Sequence, residues 1–451
     1  MNLLNIIRGF DGELYDYFEK ELERQFYSLS FIPDENSISP LCSATMGNVL
    51  INAQKNSAFA QQKTLEQLAA ERICNLFDGE YANVKSITIE AASRVVFQAL
   101  VERGDVVMSL DLRKKEHCNS ESLAYRFVNF GIDPQTQHLD LDAIAQQARE
   151  MKPRLLIVSP INYPQTIDYE RLADIAHEVG AVLWCDISQV AGLVTAGVIQ
   201  SPLPHADIVT FTMQGALQGP RCSVIICKNK YSIAIERASL SYGHSTLGSS
   251  ELATLCVRIR EMQTDEYQQY CQAVIENATA LAAGLKEGGM SLIGGGTESH
   301  FVVIDAKSCA LSARGALESL ADCGISVRNC QVLTGNPDIK FDAVRFSTLP
   351  VTTRGMRADQ LHKLGLFIGK YLANPSAENE HALQQLVRDM TVVLPLFNGK
   401  WLCDVVKQNL EQSNYFSGQS DSTNIADRSR LSRIVHKAGQ VLHHDHGHDH
   451  A

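Results

Sequence analysis

Three stretches of this 451-residue chain carry side chains able to do chemistry. Asp186 ends the apolar run 181–185 and is followed by Ile187-Ser188-Gln189-Val190. The run 207–212 leads into Met213-Gln214-Gly215-Ala216-Leu217-Gln218-Gly219-Pro220-Arg221. Open parallel sheets bind ligands outside the carboxyl ends of their strands. A carboxylate and a Gly-Pro-Arg turn on neighbouring strand ends therefore make a candidate pocket wall. An Asp at a strand end also serves as a loop anchor, and spacing leaves both uses open. The third stretch is the tail, where His443, His444, His446, His448 and His450 are interleaved with Asp445 and Asp449. Imidazole suits Zn, Ni, Co and Cu, so a transition metal is an expected ligand of this tail. The other use is a solvated segment that takes up such ions adventitiously.

Alternating elements must position these groups. Asp168 reads as an N-cap; Leu172, Ile175, Ala176 and Val179 follow at helical spacing before Gly180. The next run, 181–185, is short and continuously apolar, as a strand covered on both faces should be. Similar runs at 105–110, 154–159, 207–212 and 222–227 predict βαβ units and a mostly parallel sheet with flanking helices. A long helical stretch spans 248–288; strand-like 300–305 and 344–347 flank a helix near 312–323, and 380–412 reads as helical. The expected divisions are an N-terminal arm and helix (1–50), a large α/β domain (51–285) and a smaller α+β domain (286–375). A helical extension (376–412) and a flexible linker with the His-rich tail (413–451) follow.

Composition excludes some classes. Lys and Arg number 40 against 51 Asp and Glu, a net charge of −11, so no basic surface for nucleic acid is expected. No apolar run reaches the roughly 18 residues that span a bilayer. The first 18 residues lack a basic start and a small-residue cleavage site, so they are not expected to be a secretory signal. The 12 cysteines form no CxxC pair and read as reduced core residues of a cytoplasmic protein.

Asp186–Val194 (DISQVAGLV) and Val198–Arg221 (VIQSPLPHADIVTFTMQGALQGPR) resemble the central block of serine hydroxymethyltransferases. Those are pyridoxal-phosphate enzymes of the aspartate-aminotransferase fold. The likeness runs over about residues 8–374. It includes Ile32-Pro33-Asp34-Glu35-Asn36, Asp78–Val84, Val344–Thr348 and Thr353-Arg354-Gly355; the tail after about 376 is unlike the family. The resemblance implies that Asp186 pairs with the pyridinium nitrogen and His117 stacks on the ring. It makes Glu35 the acid/base carboxylate and Arg345 the guanidinium that binds the substrate carboxylate, with Gln189 and Gln214 beside it.

Other positions depart from the family pattern. Gln214 and Gly215 stand where the family has His-Lys, and Gly215 has no amine to form a Schiff base. Thr88-Ile89-Glu90 replaces a Ser-Gly-Ser phosphate turn, and Gln189 replaces a His. On this reading pyridoxal phosphate is an unexpected ligand. The chain is then expected to be a non-catalytic or regulatory homologue. The alternatives are a re-purposed, coenzyme-independent enzyme for a small amino acid or other carboxylate, metal-assisted or not, and an active hydroxymethyltransferase or aldolase. A homodimer, or a hetero-oligomer with an active homologue, is the assembly the resemblance implies.

Overall fold

The computed structural model describes residues 3–52, 64–110, 125–241, 247–336 and 338–412. Two compact units separate by their internal contacts. One is residues 25–403; the other joins the N-terminal segment up to Arg24 with the segment from Asp404. In the second unit the described elements are helical, including Leu3–Phe10 and Asp404–Gln412. Phe10 and Tyr17 there are exposed.

The larger unit is α/β. Seven strands form its central sheet: β1 (Tyr81–Ser86), β2 (Val106–Leu110), β3 (Arg126–Phe130), β4 (Leu155–Val158), β5 (Val182–Asp186), β6 (Ile208–Thr212) and β7 (Ser223–Cys227). Their spatial order is β1-β7-β6-β5-β4-β2-β3. Strands β6, β5, β4, β2 and β3 pair in parallel, and β7 runs antiparallel to both β1 and β6. Every residue of β4, β5 and β7 is buried, so continuous apolar runs are what these positions demand.

A second, antiparallel sheet is ordered β9-β10-β8, with β8 (Phe301–Asp305), β9 (Arg328–Leu333) and β10 (Lys340–Ser347). On β8 and β10 residues alternate between two cores. Phe301, Val303 and Ala343 pack into the core around the central sheet, whereas Val302, Ile304, Val344 and Phe346 face a separate cluster. Residues with the parity of Phe301 therefore face the central sheet.

The stretch 248–288 divides into α1 (Ser249–Glu261) and α2 (Asp265–Glu287), because the Thr264 hydroxyl accepts from the Tyr267 N–H and starts a new helix. Helix α2 crosses α3 (Ala358–Ala373) at close range. A Cβ built on Gly284 would lie 2.1 Å from the His362 carbonyl oxygen, and one on Gly365 would lie 2.6 Å from that of Leu281. Further along, buried Arg354 donates to five carbonyls: those of Gln25 (3.1 Å), Phe26 (3.0 Å), Ser28 (2.6 Å), Leu394 (3.4 Å) and Pro395 (3.1 Å). Burial lowers its pKa to about 10. The described cysteines are all free.

Candidate functional site

The carboxyl edge of the central sheet carries Asp186 and leads into the 213–221 turn. Asp186 pairs in register with Thr210, Thr212 with Ser223, and Ser223 with Ser86. The ends of β5, β6 and β1 therefore lie along one edge. Asp186 is 3% exposed; one carboxylate oxygen accepts from the Ser188 N–H (2.9 Å) and the other from the Thr210 hydroxyl (3.2 Å). Thr210 in turn accepts from the Trp184 indole N–H (2.9 Å). Both uses of Asp186 are thus compatible: it anchors its loop while standing at the ligand edge.

The turn after β6 is held from below. Gly215 has φ +64°, and a Cβ there would lie 2.9 Å from the Pro33 carbonyl oxygen. Residue 215 therefore packs directly on the Pro33–Glu35 turn. The Asn36 side-chain amide donates to the Gly215 carbonyl (2.9 Å), and its oxygen accepts from the Thr353 hydroxyl (2.7 Å). The Gln218 amide donates to Thr353 (2.8 Å), and its oxygen accepts from the Arg258 guanidinium (2.9 Å). Arg258 is buried and pairs with Glu261 at 3.0 Å. Gln214 is exposed on the rim, and Glu35, also exposed, accepts from the Ser30 hydroxyl (2.7 Å).

Arg345 lies on the β10 face turned to the central sheet. It is 3% exposed, donates to the Gln189 side-chain oxygen, and its guanidinium stands 4.4 Å from the centre of the Phe301 ring. Near it is His300, fully buried, with Nδ1 bonded to the Ser347 hydroxyl at 2.9 Å. Burial, and then the Arg345 charge, hold His300 far below the usual imidazole pKa, so it is neutral. Directly across the strands from Arg345 is Arg328, paired with Asp34 at 2.8 Å.

Asp186 and Gln189 thus share one loop, Gln189 accepts from Arg345, and Gly215, next to Gln214, packs on the turn bearing Glu35. His117 and the five tail histidines lie outside the described residues. Nothing in the sequence singles out Arg258 or His300, whose partners Gln218 and Ser347 lie some forty or more residues away. Asn36 and Thr353 lie within segments that carry the resemblance, but nothing in the sequence marks them as site residues.

The Serine hydroxymethyltransferase family model matches residues 7–368. A serine hydroxymethyltransferase of Rhodopirellula baltica is 32% identical over 410 residues, covering 87% of this chain and 97% of that protein. The chain belongs to the serine hydroxymethyltransferase family. Membership carries a correction. Serine hydroxymethyltransferases depend on pyridoxal phosphate, so the expectations that this coenzyme is foreign to the chain and that a tail-bound transition metal is its cofactor are withdrawn.

The structure also removes part of the physical basis for them. Thr88-Ile89-Glu90, which stands in place of the family's phosphate turn, opens the twelve-residue helix Ile89–Leu100, with Thr88 as N-cap accepting from the Ala91 N–H at 3.3 Å. A helix start at the carboxyl edge still turns backbone N–H groups and the positive dipole end outward, which is what an anion needs. Against the coenzyme, the residues divide. The Asp186 carboxylate suits a pyridinium nitrogen, whereas Gly215 offers no amine and no room for a Cβ. When bound, the coenzyme would supply electron withdrawal at that ring. Members of this serine hydroxymethyltransferase family are typically oligomeric. No helix among the described residues is long and apolar enough to cross a membrane.

Proposed function

We propose that this serine hydroxymethyltransferase family member binds a small amino acid or related carboxylate at Arg345 and acts as a non-catalytic or regulatory homologue. In this reading it is a cytoplasmic homodimer, or the partner of an active homologue. The observation that carries it is the buried Arg345 stacked on Phe301 with Gln189 at its side, in a chain whose residue 215 has no side chain. A guanidinium offers a carboxylate two parallel N–H bonds, and each charge-assisted bond contributes about 1.5–3 kcal/mol. Gln189 is a neutral acceptor that an incoming carboxylate can outcompete for this guanidinium. Pyridoxal phosphate remains the family coenzyme, with Asp186 as its ring partner; the proposal concerns only the covalent anchor, which residue 215 cannot provide.

Titration calorimetry of the full chain with glycine and L-serine tests the carboxylate clamp. Arg345→Ala is expected to weaken both by at least about 100-fold, as loss of a bidentate pair does. Gln189→Ala, which leaves the guanidinium in place, is expected to preserve binding. Unchanged affinity in Arg345→Ala removes the clamp. Transfer of the hydroxymethyl group of serine by the protein supplied with pyridoxal phosphate and a one-carbon acceptor removes the non-catalytic half of the reading and favours the activity in the name of its relative.

A further inference from the structure

Two arginines leave the same face of the second sheet from adjacent strands. Arg345 on β10 and Arg328 on β9 are direct partners in the antiparallel register. Side chains at such positions leave the same face of a sheet, with Cβ atoms about 4.5–5.5 Å apart, and like charges there are destabilising. That face is the one turned to the central sheet, because Arg345 shares it with Phe301, Val303 and Ala343. The two guanidiniums differ in setting. Arg345 is buried against Phe301 and Gln189, whereas Arg328 is about half exposed at the rim. Arg328 is paired at 2.8 Å with Asp34, on the turn that packs against Gly215 and carries Glu35. The Arg328–Asp34 pair is itself open to solvent, and exposed pairs of this kind contribute only about 0–1 kcal/mol. It is therefore readily exchanged for a ligand anion.

We propose that Arg328 and Arg345 form a two-point anion site, and that this site prefers a dicarboxylate to a monocarboxylate. One carboxylate of the ligand lies on Arg345 at depth. The other replaces Asp34 on Arg328 at the rim. This inference rests on the carboxylate reading above and adds to it the chemical class of the ligand.

Butyrate and succinate have four carbons each and differ by one carboxylate, so the ratio of their dissociation constants isolates the second contact. Calorimetry on the full chain is expected to show succinate tighter by about tenfold, the scale of one charge-assisted contact. Arg328→Gln brings the ratio close to one; Asp34→Asn, which removes the competing carboxylate, raises it. A ratio near one in the unaltered chain overturns the proposal, as does a ratio that survives Arg328→Gln or falls in Asp34→Asn. If neither acid binds, or if binding ignores Arg345→Ala, the carboxylate reading itself fails and takes this inference with it.

Discussion

His300 couples the candidate site to pH. Its folded pKa is depressed by burial and by the nearby Arg345, whereas the unfolded chain titrates it at about 6.5. Below that value the unfolded state takes up a proton that the folded state refuses. The stability contribution is therefore complete above about pH 6.5 and lost as the pH falls, at up to about 1.4 kcal/mol per unit. Urea unfolding at pH 7.5 and 5.5 is expected to show a steeper loss for the unaltered chain than for His300→Gln. Equal losses would mean that His300 is protonated in the folded protein. The sequence could not announce this residue. A histidine before an apolar strand becomes neutral only because Ser347 and Arg345, more than forty residues later, close over it. The place of Asp186 at the end of a buried strand was legible from the continuous apolar run before it, but its bonds to Ser188 and Thr210 were not. Gly215 was legible as a missing amine, but its close fit against Pro33 was not.

At the scale of elements, the parallel strands stood out because burial on both faces leaves unbroken apolar runs, as in β4 and β5. Strand β9 did not, since Arg328 and Asn329 are exposed and its pattern is largely polar. Nor was it legible that β7 runs antiparallel: its run looks like its neighbours', and direction is set by how the chain returns. The break between α1 and α2 came from one hydroxyl at Thr264. The crossing of α2 with α3 gives a sharp expectation. Gly284→Ala puts a methyl 2.1 Å from the His362 carbonyl oxygen, so the helices must separate. The cost is about 1–3 kcal/mol, the usual range for overpacking, despite the better helix propensity of Ala. It would be read as a lowered unfolding midpoint in urea. An unchanged or raised midpoint would show that the crossing yields freely.

At the scale of the molecule, Arg354 stands out among the buried groups. A lysine there keeps the charge but presents three donors from one atom to carbonyls spread around a planar fork. Arg354→Lys is expected to cost about 2–4 kcal/mol, from two or more buried carbonyls left without a donor. Thermal unfolding would report it, and a loss under 1 kcal/mol would show that water replaces the missing bonds. The five carbonyls belong to residues 25–28 and 394–395, the two extremes of the larger unit. A ribosome making this chain delivers the first of them long before the last. The knot at Arg354 is tied only once residues 394 and 395 have emerged, so residues 25–28 wait for them.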